Sequence, residues 1–120
     1  MHAPMRKKPK KKNTLLWLFE PLENDPRYFR RKFFHLDAAY LDGRLYLTLR
    51  DAKDEWSGMM VCTYREHHAS LCSDFPQLKP HRVLGKWLHL SLRSPEFESV
   101  AQELVELTLK RDPRLGIDPK

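Results

Sequence analysis

The apolar positions change period along the chain, and the changes mark its elements. Phe97, Val100, Ala101, Leu104, Val105 and Thr108 recur at helical spacing. Ser94-Pro95-Glu96 precedes them with a cap, a first-position proline and an early acid, while Lys110, Arg111 and Asp112-Pro113 close the run. This predicts the main core helix. Just before it, Leu88, Leu90 and Leu92 alternate with Trp87, His89 and Ser91, which predicts a strand over Lys86–Leu92. Farther upstream, Leu41-Asp42-Gly43-Arg44 centres an Asp-Gly pair between two alternating segments and predicts a hairpin with a type I′ turn. Counting outward from that turn pairs Tyr40 with Leu45, Ala39 with Tyr46 and Ala38 with Leu47. It places Leu45, Leu47 and Leu49 in a buried row beside Tyr40 and Ala38, with Tyr46 and Thr48 on the opposite face.

The remaining segments are shorter. Thr14 suits the N-cap of a helix over Leu15–Glu20 that Pro21 stops. Asp25-Pro26 suits a second helix start, with Phe29 and Phe33 four apart on one face and Arg27, Arg30 and Arg31 around them. Arg50–Gly58 reads as a polar connection carrying Trp56, with Gly58 in a turn, and Met59–Cys62 as a third strand. Thr63-Tyr64-Arg65-Glu66 has the form of a capping box opening a helix from about Tyr64 to Asp74, which Phe75, Pro76 and Pro80 end. The order is α-β-β-β-α-β-α. It predicts an α+β two-layer sandwich: a mainly antiparallel sheet of about four to five strands with helices on one face. The other face, carrying Tyr46, Thr48, Trp87 and His89, then meets solvent.

Charge divides the chain in two. Arg6, Lys7, Lys8, Lys10, Lys11 and Lys12 account for six of the 22 basic residues, and the rest of the basic residues balance the 16 acids. The net charge of +6 therefore describes the N-terminal residues rather than the body. Residues 1–14 hold no acid and almost no core-forming side chain, so they are predicted to be a disordered basic tail, followed by a single domain over 15–120. A domain of this length can bury a core without staples. The longest apolar run, Leu15–Phe19, is too short for a bilayer span or a signal-peptide core. With two cysteines, this reads as a cytoplasmic chain with free thiols and no membrane partner.

At this point the sequence resembles a small bacterial domain family. Arg31-Lys32-Phe33-Phe34 followed by Tyr40-Leu41-Asp42-Gly43-Arg44-Leu45-Tyr46 is similar to the Arg-Lys-Met-Phe-Gly and Tyr-x-Asp-Gly-Lys-x-Phe signature of TfoX N-terminal-like domains. His81 and Lys86-Trp87-Leu88-His89-Leu90, then the C-terminal helix, resemble the His…Lys-x-x-Trp strand and last helix of MmcQ/YjbR-like proteins. His35 and Leu36 stand where the first group has glycine. The resemblance implies helices packed on an antiparallel sheet and a DNA-associated or competence-regulator role. It implies no established active site.

Three constellations carry candidate chemistry. Cys62, His68, Cys72 and His81 include a helical i,i+4 pair and are ligand types that tetrahedral zinc favours, but no C-x2-C or H-x3-H pair occurs; the bland reading is a small core cysteine and surface or capped histidines. Glu66, His67 and His68 invite acid–base chemistry, yet Glu66 is already used as the capping residue. No nucleophile elbow, phosphate loop or His-Glu-x-x-His pattern is present, which points to a non-enzymatic chain without a cofactor. The third constellation is a nucleic-acid surface. It comprises the six basic tail residues, which would neutralise phosphate without sequence preference, and Tyr46 and Trp87 with nearby Lys86 and Arg44, which would stack bases. A homodimer or protein partner covering the same face is the competing expectation.

Overall fold

The computed structural model describes residues 13–33, 35–81 and 85–119. Six strands form one sheet: β1 Tyr28–Phe33, β2 Leu36–Leu41, β3 Arg44–Arg50, β4 Gly58–Val61, β5 Lys79–Pro80 and β6 Leu88–Ser91. Their order is β1-β2-β3-β4-β6-β5 and all neighbours are antiparallel. A 3-10 helix over Leu16–Asn24, helix α1 over His68–Asp74 and helix α2 over Phe97–Leu109 supply the second layer. The α+β class and the one-sided helix layer stand, whereas the sheet exceeds the expected four to five strands. Among the described residues, no helix is long and apolar enough to cross a membrane.

The extra strands come from segments whose local signals are ambiguous. Asp25-Pro26 does not open a helix. Asp25 accepts the Arg27 amide at 2.9 Å through its side chain, and its carbonyl accepts the Tyr28 amide at 3.0 Å. This is a turn with proline at its second position, which uses the same residues as a helix start. The chain then extends and pairs with β2 from Tyr28↔Leu41 to Phe33↔Leu36. As an edge strand β1 carries Arg30, Arg31 and Lys32, charges that discourage edge-to-edge pairing. The first helix also differs from expectation. Pro21 lies inside it, and the segment is a 3-10 helix rather than an α-helix ended at Glu20. Its start is held by Asn13, whose Oδ1 accepts the Leu15 amide at 2.9 Å, while Thr14 donates to Asp51 instead of capping. Asn13 Nδ2 also donates to Asp37 and to the Leu49 carbonyl, so Asn13 and Thr14 are fastened to the body. Residues 1–12 of the expected tail lie outside the described residues.

The hairpin forms where Asp-Gly placed it, with φ of 56° at Asp42 and 76° at Gly43 as a type I′ turn requires. Its register does not continue as counted. A bulge between Ala39 and Tyr40 pairs Tyr40 with Leu45 but Ala39 with Leu47, leaving Tyr46 as the extra residue. The shift sends Leu45 to one side of the sheet and Leu47 and Leu49 to the other. Tyr46 and Thr48, expected on a solvated face, are both 3% exposed.

The larger core lies under the helices. Leu18, Phe19 and Leu22 of the 3-10 helix, Leu71 of α1, and Phe97, Val100, Ala101, Leu104 and Val105 of α2 meet Leu47, Leu49, Met59, Val61, Leu88 and Leu90 of the sheet. The apolar stripe predicted for α2 is the stripe it buries. The expected capping box before α1 does not form. Thr63 Oγ1 donates to the Arg114 carbonyl at 2.6 Å, and the helix opens through a 3-10 turn at Arg65–His67 with no side-chain cap.

Candidate nucleic-acid interface

The sheet's other side carries a smaller core of Ala38, Tyr40, Leu45, Cys62 and Ile117, against which Trp87 packs; among the described residues, no helix residue joins it. Strand alternation places Phe29, Arg31, Ala38, Tyr40, Thr48, Arg50, Met60, His89 and Lys79 on this side. None of these residues is acidic, whereas Asp37 points to the helix side, where Arg30 reaches it.

At the β1 end, Phe29 stacks on Tyr40 with ring centroids 4.6 Å apart and planes 4° from parallel. The Arg31 guanidinium lies 6.0 Å from the Phe29 ring and 5.9 Å from the Tyr40 ring, within cation–π range. Tyr40 is buried beneath this stack, and Phe29 is 42% exposed. At the opposite end, the loop after β3 is tied down by Arg50, which donates to Asp54 at 2.5 Å, and by the Ser57 hydroxyl, which donates to Asp54 and accepts the Ala52 and Asp54 amides. Arg50 holds the Asp54 carboxyl far below the ordinary carboxylate range. The loop sets Trp56 on His81, with centroids 4.4 Å apart, and beside His89, whose Nε2–H donates to the Trp56 carbonyl at 3.1 Å. Burial pushes the His81 pKa down, and nearby His89 adds to the effect.

A concave pocket of about 430 Å³ lies where the C-terminal segment meets this side. Leu45 and Ile117 exchange backbone hydrogen bonds at 3.0 and 2.9 Å, and Gly116 donates to the Cys62 carbonyl at 2.8 Å. The segment thereby continues the sheet beyond the end of β4. Tyr64, Arg65, Lys86 and Trp87 line the same pocket. Lys86 Nζ is 5.4 Å from the Trp87 ring centroid.

The sequence candidates separate in this frame. Lys86 and Trp87 come together at the pocket. Tyr46 does not; it packs into the helix-side core because the bulge turned it away. Arg44 donates to the Gly116 carbonyl and serves the C-terminal segment. Arg6, Lys7, Lys8, Lys10, Lys11 and Lys12 lie outside the described residues. The four zinc candidates are scattered. Cys62 is buried in the smaller core, where desolvation raises its thiol pKa and disfavours the thiolate a metal requires. Cys72 packs against the helix-side core and donates to the Leu78 carbonyl. His68 Nε2 is 3.0 Å from the Lys86 carbonyl, and His81 stacks on Trp56. Among the described residues, no three His, Cys, Asp or Glu are grouped to hold a metal ion. Glu66 is exposed and lies 3.4 Å from His67 Nε2, so the capping role expected of it is not performed. Phe29, Arg31, Trp56, Tyr64 and Arg65 were not picked out from sequence as parts of this surface. The Phe-x-Arg alternation of β1 was the available signal, and it becomes visible once that segment is taken as a strand.

Comparison of the chain with protein-family models, with curated proteins and with solved structures finds no match.

Proposed function

We propose that this chain is a non-enzymatic binding domain that engages nucleic acid through the helix-free side of its sheet, with the basic residues Arg6–Lys12 adding phosphate contacts. The observation that carries the reading is the composition of that side: Phe29 stacked and exposed under Arg31, Trp56 and Trp87 farther across, exposed Lys79, and no carboxylate among the strand residues facing it. Aromatic faces receive bases, and cations between them receive phosphates. From β1 to β6 the sheet spans roughly 19 Å at ordinary strand spacing, room for several nucleotides. This reading keeps the DNA-associated expectation of the TfoX-like and YjbR-like resemblance.

The test is fluorescence anisotropy of the full chain with single- and double-stranded oligonucleotides over a salt series. A second protein carries glutamine at Lys7, Lys8, Lys10, Lys11 and Lys12. Binding is expected near physiological salt, with the glutamine variant losing up to about 0.7 per lysine from the log–log salt slope on single strands. Residual binding by that variant assigns a share to the sheet. No binding by the unsubstituted chain near physiological salt ends the reading. A concentration-dependent dimer that buries Phe29 and excludes oligonucleotide would replace it with an assembly role.

A further inference from the structure

We propose that the pocket formed by Tyr64, Arg65, Lys86, Trp87, Leu45 and Ile117 holds one nucleotide unit, its base against the Trp87 ring and its phosphate between Arg65 and Lys86. The inference rests on the nucleic-acid reading and names the part of the surface that captures an unstacked base.

Three observations converge on this ligand. The first is shape: about 430 Å³ lies within the size range of small-molecule sites, and its apolar lining from Leu45 and Ile117 adjoins two aromatic side chains. The second is charge. Arg27, Arg30, Arg50, Arg111 and Arg114 are all held by carboxylates. Arg65 and Lys86 both line this pocket, and neither has an ion-pair partner among the described residues. The lining contains a single carboxylate, Asp118, against these two cations. A ligand with a flat apolar part and an anionic part matches that arrangement. The third is the fixing of the walls. The Tyr64 hydroxyl accepts the Asp118 amide at 2.9 Å, which sets its ring and leaves the hydroxyl hydrogen to donate to a ligand. His68 bonds the Lys86 carbonyl at 3.0 Å and holds the backbone from which Lys86 and Trp87 project. Lys86 Nζ, 5.4 Å from the centre of the indole, already marks the position of positive charge relative to the stacking surface. A base within a duplex cannot enter such a pocket, so the site favours single strands or strand ends.

Isothermal titration of the full chain with adenosine 5′-monophosphate, adenosine and inorganic phosphate separates base from phosphate recognition. The monophosphate is expected to bind at least about tenfold tighter than either part alone. Arg65→Gln, a change at an exposed side chain that spares the core, is expected to weaken it about 10- to 100-fold, the range of a charge-assisted hydrogen bond. Trp87→Leu should weaken the monophosphate and adenosine together. Equal binding of phosphate and monophosphate, or an Arg65→Gln protein that binds as the parent does, would overturn the proposal. The same proteins are then titrated with a single-stranded oligonucleotide. Oligonucleotide binding unaffected by Arg65→Gln removes the pocket and retains the sheet surface. Arg65-dependent monophosphate binding with no oligonucleotide binding retains the pocket and removes the nucleic-acid reading.

Discussion

On the helix side of the sheet, leucines from strands and helices interdigitate until Leu47, Leu49, Leu88, Leu90 and Leu104 are completely buried. On the other side a small apolar patch underlies aromatic rings and cations, and Phe29, Arg31, Lys79 and Lys86 remain exposed. The same six strands support both. Alternation of side chains lets one strand contribute Val61 to the first side and Met60 to the second. The difference lies in what completes each surface. The helix side is closed by this chain's own 3-10 helix and α2, whose exposed charges, Glu20, Glu23, Glu98, Glu103 and Glu106, are all acidic. The other side pairs aromatic rings with positive charge: Phe29 and Tyr40 with Arg31, and Trp87 with Lys86. Stability is concentrated on one side, and the surface proposed above for an anionic aromatic ligand lies on the other.

If that division holds, a change on the helix side should alter stability and leave binding by the folded protein unaffected. Leu104→Ala removes a completely buried side chain between α2 and the sheet. It is expected to lower the unfolding free energy by about 2–5 kcal/mol, the range for such truncations. Urea unfolding measures this, and anisotropy at low temperature should give an unchanged oligonucleotide affinity per folded molecule. An affinity loss matching the stability loss would mean that the two sides are one cooperative unit.

Phe29→Ala is the converse change. Phe29 is partly exposed, stacks on Tyr40 and lies within cation–π range of Arg31. The unfolding free energy is expected to fall by no more than about 0.5–1.5 kcal/mol, the worth of an aromatic pair. Single-strand affinity is expected to fall by about 1–3 kcal/mol, the worth of one stacked base. Intact affinity would place the ligand surface elsewhere.

The helix side was the more legible in sequence, because its strongest signals are local. The 3.6 period of α2 and the Asp-Gly turn each specify their structure within a few residues. The other side depends on pairings that no short window contains. A spacing of four suits one face of a helix, at about one turn, and one face of a strand, at two periods, so the Phe29/Phe33 spacing did not distinguish the two, and long-range pairing with β2 decided between them. The bulge opposite Tyr40 adds one residue to β3 and reverses the assignment of Tyr46, with no residue in the sequence to announce it. The Thr63 hydroxyl bonds a carbonyl 51 residues away, so the capping box was defeated by a partner outside its own segment. Lys86 and Trp87 were legible as neighbours on the helix-free side because they lie on a regularly alternating strand approach; Tyr64 and Arg65, which line the same pocket, were absorbed into an expected helix start.

Arg111 belongs to neither side and gives the smallest and most discriminating test. Its guanidinium joins the end of α2 to Asp25, before β1, and to Asp42, in the hairpin turn, at 2.6 and 2.9 Å. Hydrogen bonding to Arg111 is the main reason that both carboxyls titrate below their ordinary range. A carboxyl depressed in the folded state contributes stability above its unfolded pKa, near 3.9 for Asp, and loses that contribution as pH falls through its folded value. Arg111→Gln raises both carboxyls toward the ordinary range. The variant should therefore be less stable than the parent by a constant margin from pH 7 to about pH 5, and the margin should close as the pH falls below about 4. Urea midpoints across pH measure it. Because all three groups are partly solvated, the margin at neutral pH is expected to be small and to shrink with salt. The salt slope of oligonucleotide binding should not change, since Arg111 is already neutralised by its two carboxylates. A margin that persists at pH 2 would assign Arg111 to packing through its apolar stem, and a reduced salt slope would extend the ligand surface around the edge of the sheet to the hairpin turn.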